Sequence, residues 1–372
     1  MPKAPSRLPK APSRLPDAPS STPKPSSLPK PSSLPKPSSG RPPTLEDVAA
    51  RAGVSRALVS IVIRGVPGAS EATRQRVLGV AEELGYRPDG RARLLAAGRS
   101  RLIGVTLALD DPFHSDVAEG IYAAAESCGY QVVLSAVTER RRPQRAVETL
   151  LDYRCEAAIL LGPLVARQAL QELAQRLPVV VIGQPSNAPA ADVVRVSDAD
   201  GIGLALDHLV GLGHRLIAHV DGGRSAGAAQ RRAAFRAEHR RHGLPGQPRV
   251  LAGGPGEEDG AAAARQLIED GLPSAVLAYN DACAVGLLDM FLRLGVPVPG
   301  QVSVMGYDDS PVGRLSYRGL STVSQDGHQL ASLAVQRLVS RLAGSAPANR
   351  ELLLRPALVL RASTAEPAGG RP

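Results

Sequence analysis

The apolar positions of this chain follow two rhythms, one on each side of residue 100. Between Thr44 and Ser55, Leu45, Val48, Ala49 and Ala52 recur at helical spacing and form one stripe. Thr44 stands at an N-cap position with Asp47 three residues on as its acidic partner. Gly53 suits a tight turn because it tolerates positive φ. Ser55 can cap a second helix, whose apolar side is Leu58, Val59 and Val62. After a loop at 65–69, Ser70 caps a third helix running through Leu84, with Val77, Val80, Ala81 and Leu84 inward and Gly85 as its stop. The first two helices fit a helix-turn-helix, a unit that lays its second helix in the DNA major groove. They fit an ordinary αα-hairpin equally well.

Beyond residue 100, short apolar runs alternate with amphipathic segments. Strands are expected at 102–107, 131–137, 157–161, 178–182, 216–220, 249–252, 275–278 and 302–305, and a helix at 115–128. Near-continuous apolar strands alternating with helices predict parallel sheets covered on both faces. About 260 residues of this pattern exceed what one sheet usually needs. The fold class is therefore α/β: a three-helix headpiece, then a two-lobed core of doubly wound parallel sheets with its ligand crevice between the lobes.

Residues 1–43 obey neither rhythm. Pro-Lys-Ala-Pro-Ser-Arg-Leu occurs twice in tandem, from Pro2 and Pro9, and Pro-Lys-Pro-Ser-Ser recurs from Pro23, Pro29 and Pro35. Such a composition predicts polyproline-like disorder and reads as a dispensable extension.

Charge changes the picture at one end. Residues 1–100 hold 17 Lys/Arg against 7 Asp/Glu, whereas residues 101–372 hold 27 Arg against 28 acids. That asymmetry points to a polyanionic partner. A solvating tail explains residues 1–43 but not the arginines beyond them. No apolar run reaches the roughly 18 residues of a membrane helix, and the N-terminus lacks an apolar signal region. Cys128, Cys155 and Cys283 are odd in number and far apart, as suits reduced thiols. A cytoplasmic protein with no membrane partner is expected. Gly201-Ile202-Gly203 lacks the third glycine of a dinucleotide loop. His208, His214 and His219 have neither the spacing nor the cysteine partners of a zinc site. No catalytic residue, metal or cofactor is expected, and His214 reads as structural.

Three motifs then appear in register. They are Thr44-Leu45-Glu46-Asp47-Val48-Ala49 continuing to Ala52-Gly53-Val54-Ser55, Ala69-Ser70-Glu71-Ala72-Thr73-Arg74-Gln75-Arg76-Val77, and Glu83-Leu84-Gly85-Tyr86-Arg87-Pro88. Together they resemble the DNA-binding headpiece of the lac repressor family. The stretch from Pro88 to Leu95 resembles the family's hinge, which becomes helical on operator DNA. Further marks of the resemblance are Asp111-Pro112-Phe113, the run from His208 to Ala218, Tyr279-Asn280-Asp281, and the run from Ser303 to Asp309. The resemblance spans residues 43–364. It implies a tail at 1–43, a helix-turn-helix domain at 44–87, a hinge at 88–100, an effector-binding and dimerisation domain at 101–364, and a flexible end at 365–372.

The resemblance further implies a sequence-specific repressor, binding a palindromic double-stranded operator as a homodimer under the control of a small sugar or nucleoside-like effector. Its DNA contacts would be Thr44, Ser55, Arg56, Ala57, Ser60, Ile61, Thr73, Arg74, Arg93 and Leu95. Arg56 can fork to guanine O6 and N7, and Ala57 can meet only a thymine methyl. Ile61 departs from the arginine that many relatives carry there. Ser55, Ser60, Thr73 and Arg74 would touch phosphates, although capping explains the serines and threonine as well. Leu95 matches a wedge that kinks the duplex. The effector would meet Phe113, Arg231, Asn280 and Asp308, with the arginine and aspartate facing each other across the cleft to bind vicinal hydroxyls, although helix capping explains Asn280-Asp281 as well and pairing to a neighbour at a strand end explains Asp308. Gly183 departs from the acid of some sugar binders, and the chain has no Trp and three Phe. The rival readings are a solute-binding protein, which would need an export signal and no headpiece, and a sugar-modifying enzyme on the same core.

Overall fold

The computed structural model describes residues 42–87, 99–162, 165–186, 188–315, 319–345 and 348–368. The chain divides into two units, Met1–Asp89 and Gly90–Pro372. The tail up to residue 41, the hinge residues Arg93 and Leu95, and residues 369–372 lie outside the described residues.

The first unit contains α1 (Leu45–Ala52), α2 (Arg56–Ile63) and α3 (Glu71–Glu83). Local signals set each boundary. The Thr44 hydroxyl accepts from the Asp47 amide at 3.3 Å, and the Asp47 carboxylate accepts from the Thr44 amide at 2.8 Å, closing a capping box. Gly53 turns the chain at φ 64°. The Ser55 hydroxyl accepts from the Leu58 amide at 3.2 Å, and that of Ser70 from the Thr73 amide at 3.3 Å. Val48, Ala49, Ala52, Val59, Val62, Val77 and Ala81 form the buried core. Leu58, expected on the inner side of α2, is only half-buried and outside that core.

The second unit has two parallel sheets. The first lobe carries β1 (Leu102–Ala108), β2 (Gln131–Val137), β3 (Ala157–Leu161), β4 (Val179–Ile182), β5 (Asp192–Val196) and β11 (Glu351–Leu354), in the order β11-β5-β4-β3-β1-β2. The second carries β6 (Ile217–Val220), β7 (Arg249–Leu251), β8 (Ala275–Leu277) and β9 (Ser303–Met305), in the order β7-β6-β8-β9. An antiparallel ribbon joins β10 (Thr322–Ser324) to β12 (Ala357–Val359). The helices of this unit are α4 (Pro112–Ser127), α5 (Pro143–Asp152), α6 (Arg167–Arg176), α7 (Asp198–Gly211), α8 (Ala228–Arg241), α9 (Glu257–Glu269), α10 (Asp281–Arg293), the short α11 (Pro311–Arg314) and α12 (Gly327–Leu342).

All eight expected strands are present, to within a residue or so at their ends, and the α/β class with two parallel sheets holds. Four further strands, β5, β10, β11 and β12, went unpredicted. Their chain positions matter. Although β11 comes late, it completes the first sheet beside β5, and α12 lays Leu330, Ala334, Val335 and Leu338 into the first lobe's core beside Val117 and Ile121 of α4. The chain therefore passes between the lobes after β5, after β10 and after β11, and the cleft lies beside these crossings.

Two helices of the second lobe, α9 and α10, cross at bare backbone. A methyl group on Gly260 would overlap the Cys283 carbonyl, and one on Gly286 would overlap the Glu257 carbonyl. Ala365, expected in a flexible end, is instead pinned: His214 Nε2 donates to its carbonyl at 2.8 Å, and its amide donates to Ser303 Oγ at 3.0 Å. His214 is thus the structural residue it was read to be. Among the described residues, no helix is long and apolar enough to cross a membrane.

Candidate functional site

In the first unit, the described DNA-contact candidates lie at the N-cap of α1 (Thr44), along α2 from its cap Ser55 to Ile61, and in the first turn of α3 (Thr73, Arg74). Arg56 opens α2 with its side chain exposed, and its Nε lies 3.0 Å from Glu46 Oε1 of α1. Ala57 is exposed beside it, while Ser60 and Ile61 are half-buried. Ile61 lies against the loop at Gly68. Thr44 and Ser55 serve as caps, as above. Thr73 Oγ1 lies 2.9 Å from Ser70 Oγ, and Arg74 Nη2 donates to the Val66 carbonyl at 3.3 Å. Arg56 and Ala57 are therefore the outward-facing residues of the second helix's first turn.

In the second unit, a cleft partly open to solvent runs between the lobes. The first lobe lines it with Asp111, Phe113, His114, Leu161, Ile182 and Gly183. The second contributes Arg231, Tyr279 and Asp308, and Gln325 sits at a crossing. Three of the expected effector residues, Phe113, Arg231 and Asp308, are thus brought together.

Two expectations need correcting. Asn280 does not line the cleft: its Nδ2 donates to the Pro255 carbonyl at 3.0 Å and its Oδ1 accepts from the Cys283 amide at 2.9 Å, so it caps α10. Arg231 and Asp308 do not face each other across the cleft. They sit side by side in the second lobe, Nη1 to Oδ1 at 3.7 Å, both buried. The acid on the opposite wall is Asp111.

Arg231 is held from several sides. Its Nε donates to Asp198 Oδ1 at 3.0 Å and its Nη1 to the Tyr279 carbonyl at 2.7 Å. Its guanidinium lies over the Tyr307 ring, 3.7 Å from the centroid, and over Tyr279 at 4.8 Å. Burial opposes its charge, but Asp198, Tyr279 and Asp308 more than offset this and raise its pKa, so it stays cationic. Asp308 is pushed well above the ordinary carboxylate range, chiefly by burial, with Arg231 opposing the shift. It occupies φ 118°, and its neighbour Asp309 φ 55°. Non-glycine residues persist there only where their surroundings hold them. Here the Asp308 amide donates to the Val323 carbonyl at 2.7 Å, and Gln325 Nε2 donates to Asp308 Oδ1 at 2.6 Å.

On the opposite wall Asp111 caps α4, its Oδ1 accepting from the Phe113 amide at 3.0 Å. His114 Nδ1 accepts from the Ala108 amide at 3.2 Å, which leaves Nε2 as the donor, 3.7 Å from Asp111 Oδ2. Asp198 and Gln325 left no local mark in the sequence as site residues, and Tyr307 stood unassigned inside the quoted run from Ser303 to Asp309. Asp111 and Tyr279 stood inside quoted motifs without being assigned.

Two other constellations fall away. Gly223-Arg224-Ser225-Ala226-Gly227 spells the Gly-x-Ser-x-Gly of nucleophilic hydrolases. It is a turn between β6 and α8, and among the described residues no side chain hydrogen-bonds the Ser225 hydroxyl to activate it. Asp207, Glu238 and His242 come within ligand distance of one another. Arg241 already bonds both carboxylates, so the group forms an ion-pair network.

Residues 44–89 match the family model of the bacterial regulatory proteins of the lacI family, and residues 206–364 that of a periplasmic binding protein-like domain. The chain is 32% identical over 328 residues to the ribose operon repressor of Escherichia coli (strain K12), spanning 86% of this chain and 99% of that protein. The chain belongs to the lacI family. This lacI-family protein is also 31% identical to the transcriptional regulator GalR of Salmonella typhimurium, over 87% of this chain and 96% of GalR. Its fold matches the lac repressor dimer bound to operator and the anti-inducer ONPF, with TM-score 0.77 and 31% identity, covering 87% of this chain and 100% of that one. A LacI transcriptional regulator from a Rhodococcus species matches at 45% identity and TM-score 0.69, over 71% of this chain and 98% of its own. The lacI-family chain is therefore a DNA-binding transcriptional regulator, with its helix-turn-helix at α1 and α2.

Proposed function

We propose that this regulator is a cytoplasmic homodimeric repressor whose affinity for a palindromic operator is set by a small polyhydroxylated effector bound in the cleft. The observation that carries the effector reading is Arg231, a buried, multiply held cation opening onto a cleft that both lobes line. A ligand reaching Asp111, Phe113 and His114 on one wall and Arg231 and Asp308 on the other favours one arrangement of the lobes over another. Linkage then couples that preference to operator binding, with about 1–3 kcal/mol as the usual scale. Relatives point the same way: structures similar to this one include a cellobiose complex of the regulator CelR, at 28% identity and TM-score 0.65.

On DNA, Arg56 is the base reader, and Ala57 and Ile61 leave it with little polar support. Thr44, Ser55, Ser60, Thr73 and Arg74 set register on phosphates. Arg93 and Leu95 belong to the hinge, Leu95 as a minor-groove wedge. No turnover of the effector is part of this reading. Selection of bound DNA from a random pool, alone and with sugars and nucleosides, tests it. The expected result is one enriched palindrome whose retention changes with one ligand class. A pool without enrichment, or turnover of a sugar by the pure protein, overturns it.

A further inference from the structure

The cleft's charge balance carries a statement about its ligand. Its lining holds one cation, Arg231, among the described residues, and two acids on opposite walls, Asp111 and Asp308. Arg231 is already spoken for: Asp198 takes its Nε at 3.0 Å and the Tyr279 carbonyl its Nη1 at 2.7 Å. Counting Asp198 with the cation it neutralises, the site is net negative. It remains so if Asp308 carries a proton, which burial favours. Asp281 adds a further buried acid behind Asp308, bonded to Ser310 and Thr322. His114 faces the cleft with its acceptor nitrogen used, so it offers a neutral donor.

A phosphate or carboxylate brought here would lose its water, meet the Asp111 carboxylate on one wall and the buried Asp308 on the other, and find a guanidinium whose charge is already paired. Desolvating an anion without a compensating cation is costly, and like charges at short range in a partly dry site add to that cost. Hydroxyl groups meet the opposite situation. They donate to the carboxylate oxygens of Asp111 and Asp308 and accept from Arg231 and His114, in charge-assisted bonds. We propose that the cleft is a charge filter: it admits neutral or cationic polyols and rejects their phosphorylated and carboxylated counterparts, with Asp111 as the filter's first-lobe acid. This rests on the reading of the cleft as the effector site.

The test uses the full chain and isothermal titration at neutral pH. The probes are D-ribose, D-glucose, cellobiose and D-glucosamine, set against ribose 5-phosphate, glucose 6-phosphate and gluconate. A neutral or amino sugar should bind about tenfold or more tighter than its anionic counterpart. Asp111→Asn should narrow that gap while keeping the cap of α4, since asparagine caps as well as aspartate; an unchanged thermal melt of the free variant confirms the fold. A phosphate or carboxylate that binds as tightly as its parent sugar overturns the filter and leaves the effector reading standing. An unchanged gap in the Asp111→Asn variant also overturns it. If no probe binds at millimolar concentration, the effector reading fails and the filter with it.

Discussion

His219 shows how a single buried side chain sets a measurable property. It lies fully buried on β6, with Nδ1 donating to the Leu277 carbonyl at 2.9 Å, Nε2 without a partner, and its ring stacked on Phe235 at 5.2 Å. Burial lowers its pKa from 6.5 to about 4. Between those values the unfolded chain binds a proton that the folded chain refuses. Stability should therefore fall as pH drops from about 6.5 to about 4, by up to ~3 kcal/mol. Denaturant melts across that range check it, and His219→Phe should flatten part of the slope. His208, His214 and His239, also lowered by burial, keep the rest. Arg56 offers a second residue-scale prediction. Its exposed ion pair with Glu46 competes with DNA. Glu46→Gln should tighten operator binding, more at low salt than at high, whereas Arg56→Ala should cost about 1–3 kcal/mol and relax one base position. Binding titrations at two salt concentrations separate the outcomes. At this scale the sequence was readable wherever a signal is local. Thr44, Gly53 and Ser55 announced their roles because a cap needs only its next three residues. Asn280 stood open between two roles because the same residue type serves a helix cap and a ligand contact. Asp198 was silent because its partner Arg231 lies 33 residues away.

At the scale of elements, the legible strands were those whose burial leaves only apolar residues, such as β3, buried along its whole length. In contrast, β5 opens on Asp192 and contains Arg195, which breaks the apolar run. Both charges are answered by distant partners: Arg341 bonds both Asp192 oxygens at 2.7 and 2.8 Å, and Arg195 pairs with Glu351. Until those partners are known, β5 reads as a polar connection, and the three leucines of β11 lack the partner strand that would mark them as a strand. Helix packing gives this scale its prediction. Because α9 and α10 touch at Gly260 and Gly286, Gly286→Ala forces the helices apart. It should destabilise the second lobe by about 1–3 kcal/mol or more, read as a lower denaturant midpoint, with the headpiece's operator contacts unaltered at low temperature.

For the whole molecule, headpiece and two-lobed core were legible from the change of rhythm at residue 100; the crossings were not. An ion pair joins the two lobes: Arg314 Nη2 of α11 lies 2.6 Å from Asp116 Oδ2 of α4. Since Arg314 is 44% exposed, the pair is worth at most about 1 kcal/mol. Arg314→Ala should weaken effector binding by no more than about fivefold, and added salt should erase the difference. A larger or salt-insensitive loss would mean that Arg314 does more than clasp. The crossings also bear on how the protein is made. The lobe begun first lacks its edge strand β11 and its covering helix α12 until the second lobe has been synthesised. Its nascent sheet therefore waits on the ribosome with Val193 and Val194 uncovered at the β5 edge. The most exposed moment in this regulator's life therefore comes before it has met either DNA or effector, while that sheet edge is open to pairing with another chain.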